Sequence, residues 1–277
     1  MTAAPQQADS PESAGSRLLG GVDALLVAAD SDLGSAALDL AVGPALLRAV
    51  TDLRSVSGTS STGWLRMYRP VPTVGFSRRD SKVPNYSRAV IAARGHGFEP
   101  AVRSPGGRAA AYHRSCLCFE LVLPDSGERG PAQQMSALGD LVAGVLRDLG
   151  VDARVGEVPG EYCPGRFSVN AGGVAKIVGT AGRRVRGAIL LGGSIIVTDA
   201  APIRAVLADV YPALGLPLDP ATVAAATDFG CTVENADAVA DALVSALGTH
   251  SRVSPAPLPA HVVAAAHTAV TALPIVG

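Results

Sequence analysis

Residues 161–198 read EYCPGRFSVNAGGVAKIVGTAGRRVRGAILLGGSIIVT, and the rest of the chain is organised around this stretch. Phe167 and Val169 on one side, and Val174, Ile177 and Val178 on the other, flank Asn170-Ala171-Gly172-Gly173, which has the composition of a tight hairpin turn. Arg183 to Gly187 supplies a second turn, and Ala188 to Val197 returns as a buried strand. Lys176 is then a cation in the middle of a sheet, a costly placement unless an anionic or polar group meets it. Cys163 is a thiol beside the Pro164-Gly165 turn, at the mouth of the same hairpin. A thiol and an amine near each other at a sheet edge are parts suited to acyl transfer. In this register Lys176 lies opposite Phe167 or Ser168, which leaves Cys163 ~13–17 Å further along by strand rise. The Pro164-Gly165 turn therefore has to fold Cys163 back towards the lysine.

Upstream, a brief strand at 100–103 runs into Ser104-Pro105-Gly106-Gly107-Arg108. Glycines let backbone N–H groups approach a carbonyl or phosphate closely, and the adjacent arginines supply charge. Alternating or continuous apolar runs predict strands at 63–68, 73–76, 109–113, 115–124 and 151–155. Helical spacing predicts helices at 35–53, 85–94 and 131–150, the first kinked or broken at Gly43-Pro44. Leu18 to Ala29 fits either a strand or a helix. Cys116 and Cys118 sit two apart on a buried strand and read as core. Residues 1–15 are polar and read as a disordered tail. Beyond Thr198 the pattern predicts an Ala-rich helical extension over 200–277, with a Pro-rich linker at 251–259.

At two places the chain resembles the biotin/lipoate protein ligase superfamily. One is Lys176-Ile177-Val178-Gly179-Thr180-Ala181, which fits a strand lysine followed by an aliphatic residue, a glycine and an alanine. The other is Arg103-Ser104-Pro105-Gly106-Gly107-Arg108, which is similar to that superfamily's Gly-rich loop. More loosely, Gly75-Phe76-Ser77 fits the step that follows an earlier strand there. Tyr162-Cys163-Pro164-Gly165 looks like the cysteine-dependent octanoyl and lipoyl transferases of the superfamily more than its ATP-dependent ligases. Two departures point the same way: Arg108 stands where ligases commonly carry a third glycine, and His113-Arg114 stands where they carry His-Asp.

The resemblance implies an α+β fold of mixed, largely antiparallel sheets with flanking helices over 16–199, the helical extension following it. It implies a protein acyltransferase of lipoate metabolism. Cys163 would be the nucleophile, its thiolate favoured by Lys176, Arg183 and Arg184, and Lys176 would hold the acyl carbonyl. Arg103, Ser104, Gly106, Gly107, Arg108, Gly179, Thr180, Arg183 and Arg184 would bind substrate, and the strands 115–123 and 188–197 would wall an acyl tunnel. The implied partners are lipoyl-domain acceptors, such as a glycine-cleavage H protein or a 2-oxoacid dehydrogenase subunit, and an acyl carrier protein as a donor. The transferase needs no cofactor. An ATP- and Mg-dependent lipoate–protein ligase, with Cys163 incidental, is the alternative, and a non-catalytic acyl- or lipoyl-domain-binding relative is a third.

Bulk properties narrow the field from another side. A formal net charge of −1 argues against nucleic acid as a partner. Four scattered cysteines argue against a disulfide framework and for a reducing cytoplasm. No apolar run has the length of a membrane span, and the first residues lack the pattern of a signal peptide. No Cys/His spacing suits a metal, and no nucleophile elbow suggests serine catalysis.

Overall fold

The computed structural model describes residues 11–57, 61–233 and 235–271. Among the described residues, eleven strands build two sheets of unequal size, flanked by seven α-helices. The larger sheet forms on two long apolar strands, β6 (Cys116–Pro124) and β10 (Ala188–Ile196), paired antiparallel from Ala188↔Pro124 to Ile196↔Cys116. On one side of them lie β2 (Thr62–Tyr68), β1 (Ala24–Ala28) and β11 (Arg252–Pro255). On the other lie β9 (Ala175–Val185), β8 (Val169–Ala171) and β7 (Ala153–Val155). Only β2–β1–β11 pair in parallel; the other contacts in this sheet are antiparallel. The smaller sheet orders β4 (Glu99–Val102), β3 (Thr73–Phe76) and β5 (Ala110–Tyr112). The expected mixed, largely antiparallel α+β architecture is the one observed.

The two-residue period of β6 divides the interior. Leu117, Phe119, Leu121 and Leu123 face α4 (Pro131–Asp148), whose Leu138, Leu141, Val142 and Val145 pack into the same core. Val122 faces the opposite way, with Trp64 and Leu190, against α2 (Ala36–Ser57). Burying each such leucine contributes about 1.5–3 kcal/mol. A third core joins the smaller sheet to α3 (Tyr86–Gly95) and α5 (Ala201–Ala213) through Phe76, Val90, Ile203 and Val206. The remaining helices are α1 (Pro11–Leu19), α6 (Ala236–Gly248) and α7 (Ala260–Thr271).

Several expectations change in the structure. Gly43-Pro44 does not break α2, which runs through Pro44. There the helix lies so close to the sheet that a Cβ on Gly43 would sit 2.2 Å from Glu120 Oε1. Leu18 to Ala29 divides between α1 and β1. The expected 1–15 tail is only partly within the described residues, and 11–15 belong to α1. The stretch expected as a helical extension also supplies part of the central architecture. Arg252–Pro255, read as linker, is strand β11 paired with β1, and Ala256 N donates to Val27 O at 2.9 Å. Proline is tolerated there because an edge strand leaves its outer N–H positions unpaired. No helix among the described residues is long and apolar enough to cross a membrane.

Candidate active site

The hairpin of the central stretch turns at Gly172-Gly173-Val174, two residues later than the composition suggested. Gly172 and Gly173 both take positive φ, and Asn170 Oδ1 accepts from Gly173 N at 2.8 Å, so the asparagine steadies the turn from its edge. Lys176 consequently pairs with Asn170. The second turn is likewise tighter than Arg183–Gly187, because β9 continues to Val185 before β10 returns.

Cys163 is folded back onto Lys176, as the hairpin required. Its backbone is left-handed, φ 43°, an unusual state for a residue with a Cβ. The lysine ammonium helps hold that turn: Nζ donates to Cys163 O at 2.9 Å, Tyr162 O at 3.0 Å and Glu161 Oε1 at 3.0 Å. All three of its hydrogens are thereby used. Nζ also lies 4.6 Å from the centre of the Tyr162 ring. Lys176 is 1% exposed, and burial holds its pKa below the ordinary lysine value against the opposing pull of Glu161. Glu161 is the anion the sequence reading did not supply. Its carboxylate also accepts from Ser168 Oγ at 3.1 Å, Gly165 N at 3.2 Å and Val158 N at 3.0 Å, closing the turn that carries the thiol.

The Gly-rich loop meets Cys163 from the other side. Arg108 N donates to Cys163 Sγ at 3.1 Å, and Arg103 Nη2 lies 3.6 Å from the same sulfur. Arg103 is buried, and its Nη2 also donates to Arg108 O at 2.8 Å, bracing the loop across its ends. The Arg108 side chain turns away to Asp80 Oδ1 at 3.2 Å, so the residue standing at the third-glycine position leaves the site open. Asp80 is itself fixed by Ser77 N and Ser77 Oγ, at 3.0 and 2.8 Å. Gly107 has φ +103°, and a Cβ there would lie 2.7 Å from both Cys163 Sγ and Arg103 Nη2. Gly107→Ala should therefore push the sulfur off its donors and slow Cys163 alkylation by iodoacetamide on the order of a hundredfold, and the strained backbone should lower the melting temperature as well.

A cleft enclosing about 740 Å³, its open mouth included, starts at Cys163, Lys176 and Arg103. Its walls include Phe119 and Leu190 on the β6 and β10 strands, Gly179, Thr180 and Ala181 on β9, and Leu40 on α2. The two strands expected to wall an acyl tunnel do line this cleft. Small residues, Gly192, Gly193 and Ser194, also line it. Cys118 also lines it, but burial pushes that thiol well up, and burial likewise pushes Cys116 up to about 11. Cys163 is the one cysteine whose sulfur receives donors from the Gly-rich loop.

Not every expected residue gathers here. Ser104 bonds Arg183 and borders a neighbouring groove, while Gly106 lies in the loop without lining the cleft. Arg184 pairs with Asp125 on the far side of β9 from Arg183, since consecutive strand residues point to opposite faces. The expected cations around the thiol are thus replaced: Lys176 is committed to Glu161, Arg184 to Asp125, and the sulfur's neighbours are Arg103 and Arg108 N. Among the described residues no His/Cys/Asp/Glu group is placed to hold a metal ion.

The lipoyl protein ligase A/B catalytic domain matches residues 45–213 of this chain. The chain belongs to this family. The match runs past Thr198 through α5, which agrees with α5 packing into the third core. An octanoyl-[GcvH]:protein N-octanoyltransferase of Geobacillus kaustophilus is 29% identical over 162 residues, 58% of this chain and 57% of its own length. A lipoyl-[GcvH]:protein N-lipoyltransferase of Listeria monocytogenes is 28% identical over 136 residues, 48% of each protein. The chain thus spans roughly half the length of the curated relatives it matches. Among solved structures, a lipoate-protein ligase A bound with ATP superimposes with a TM-score of 0.69 at 22% identity, covering 90% of this chain and 94% of that one. The bipartite lipoate protein ligase of Thermoplasma acidophilum gives 0.65 at 23%, covering 90% and 92%. At these identities the two structures establish the shared fold of the lipoyl ligase family.

Proposed function

We propose that this chain is a protein acyltransferase that moves an octanoyl or lipoyl group through a Cys163 thioester to a lysine of a lipoyl-domain protein. The observation that carries the reading is Cys163 Sγ at the mouth of a largely apolar cleft, with Arg108 N 3.1 Å and Arg103 Nη2 3.6 Å away. The two donors at that sulfur lie close to where a carbonyl oxygen would develop charge. The thiolate attacks the acyl carbonyl, the C–S bond forms, and the bond to the donor's sulfur or lysine nitrogen breaks. The leaving group takes the proton that the thiol gave up. A neutral lysine amine of the acceptor then attacks the thioester, the amide C–N bond forms, and the released thiolate recovers a proton from that amine.

Lys176 and Glu161 hold the Cys163 turn, and Gly179, Thr180 and Gly107 leave room for the chain and its carbonyl. The names of the curated relatives support an H protein, and by extension other lipoyl domains, as carrier and acceptor. No step needs ATP, and free thiols fit a reducing cytoplasm. The test is intact-mass spectrometry after incubation with octanoyl carrier protein, or with octanoylated H protein, in the absence of ATP. A hydroxylamine-labile octanoyl adduct, absent in Cys163→Ala, is the expected result. No adduct with either donor, but acceptor acylation once ATP and free octanoate are added, would overturn it in favour of the ligase.

The carrier is expected to dock where the cleft continues. A groove enclosing about 980 Å³, mouth included, shares Leu40 and Arg103 with the acyl cleft and is bordered by Arg48, Arg78 and Arg183. None of these three arginines has a carboxylate partner among the described residues. Basic rims of this kind steer acidic partners, and salt weakens them. Reversing charge in Arg78→Glu/Arg183→Glu should lower kcat/KM for the protein donor about 10–100-fold at low salt. Acylation by a small octanoyl thioester should stay unchanged. Equal losses with both donors would refute the docking role.

A further inference from the structure

We infer that Tyr211 is a positioning residue for the nucleophile, joining the cysteine turn to the Gly-rich loop. The inference rests on the reading of Cys163 as the nucleophile. Tyr211 lies on α5, 48 positions beyond Cys163, in the stretch expected as an extension. Its side chain is 1% exposed. The phenol oxygen accepts from Cys163 N and donates to Ala109 O at 2.8 Å. Both capacities of the hydroxyl are spent on backbone, one on each of the two segments that form the site.

The placement of those two bonds gives them their consequence. Cys163 N belongs to the residue with φ 43°, a conformation that persists only when its surroundings over-determine it. Lys176 holds the carbonyl of that residue, and Tyr211 holds its amide. Ala109 directly follows Arg108, whose N–H donates to Cys163 Sγ. One hydroxyl thus fixes both the residue bearing the sulfur and the neighbour of the group donating to that sulfur. Burial pushes the phenol's pKa well up, so the hydroxyl keeps the proton that Ala109 O receives. The phenol is absent from the cleft lining, which separates it from the residues that line the acyl cleft.

Tyr211→Phe removes the oxygen and keeps the ring. It leaves Cys163 N–H and Ala109 C=O without this partner, and the left-handed turn is free to relax. The rate of Cys163 alkylation by iodoacetamide at neutral pH is expected to fall at least about tenfold, with its pH profile changed from the wild-type one. Acyl-enzyme formation from a small octanoyl thioester should fall in parallel. Tyr86→Phe is the control, because Tyr86 packs against the same core and its buried hydroxyl has no hydrogen-bond partner. It should leave the profile in place.

A Tyr211→Phe protein that melts earlier but alkylates with the wild-type pH profile would overturn the proposal and reduce Tyr211 to a core residue. If the variant does not fold, amide exchange in the wild-type chain decides: protection of the Cys163 amide supports the bond, and exchange at the unprotected rate overturns it. The alkylation and amide-exchange readouts need no acyl donor. Normal alkylation results combined with no acyl transfer would therefore reject the proposed function and leave the positioning role standing.

Discussion

Replacing Cys163 with alanine should abolish acyl-enzyme formation and lower transfer to a lysine acceptor by at least about 10³-fold, since the proposed covalent catalysis loses its nucleophile. The Gly-rich loop, the cleft and the arginine rim all survive this change, so acyl and carrier binding should persist. The loss should fall on kcat, with KM or donor affinity nearly unchanged. Cys163→Ser sharpens the result. A serine hydroxyl at this position has Lys176 and Arg103 nearby but no base to take its proton, because Lys176 Nζ is engaged by three acceptors. It should be nearly as inactive as alanine in the transferase reaction. An acyl-adenylate mechanism would leave both variants active with ATP and free octanoate. Single-turnover assays of the two variants, with and without ATP, measure this directly.

The second large effect is expected at the Lys176–Glu161 pair. Their side chains are 1% and 0% exposed, and the pair is 3.0 Å apart. Lys176→Met should cost about 3–5 kcal/mol, because it leaves the Glu161 carboxylate buried without its cation. At roughly 2–4 °C per kcal/mol the melting temperature should fall on the order of 10 °C. Glu161→Gln in the same background should return part of that stability, since a neutral amide can be buried without a cation. It should not return activity, because no ammonium then holds the carbonyls of Tyr162 and Cys163. Recovery of both together would reject the positioning role of the lysine.

The pH dependence of this pair has a definite sign. Burial lowers the Lys176 pKa in the folded chain, with Glu161 opposing. A lysine that holds its proton less tightly when folded costs stability wherever both states are protonated. That cost is relieved as pH rises from the folded value to the unfolded ~10.4. From this group alone, stability therefore rises as pH climbs from the lowered folded value towards the unfolded ~10.4 and levels off above it. The pair acts through geometry: it keeps a strained cysteine turn facing a cleft.

Local sequence determined a good deal of this protein. The continuous apolar runs of β6 and β10 have no stable place except a sheet covered on both faces, and α4 shows its helical period without ambiguity. The unusual company of Cys163, Pro164-Gly165 and Lys176 pointed to one half of the candidate site, and Gly106-Gly107 between two arginines pointed to the loop that meets it. These are short-range signals, carried by spacing and by what proline and glycine permit in the backbone. Even so, the hairpin turn fell two residues later than composition indicated, because the side chain of Asn170 prefers to brace the turn from inside β8.

Long-range pairing was decided by the tertiary structure. Glu161 reads as an ordinary surface acid until the fold buries it 15 residues from its lysine. Tyr211 and Ala109 lie 102 positions apart, and nothing in a helix of alanines and valines signals that one tyrosine will meet a cysteine turn. Arg183 and Arg184 look alike as neighbours in sequence, yet the strand sends one to the groove and the other to Asp125. Arg252–Pro255 becomes a strand only because β1 offers it an open edge. Sequence alone determines which segments can be strand, helix or turn, because sterics and apolar period act over a few residues. Which buried charges meet, and hence where the Cys163 sulfur points, depends on desolvation and hydrogen-bond closure across the assembled core, and only the tertiary structure decides it.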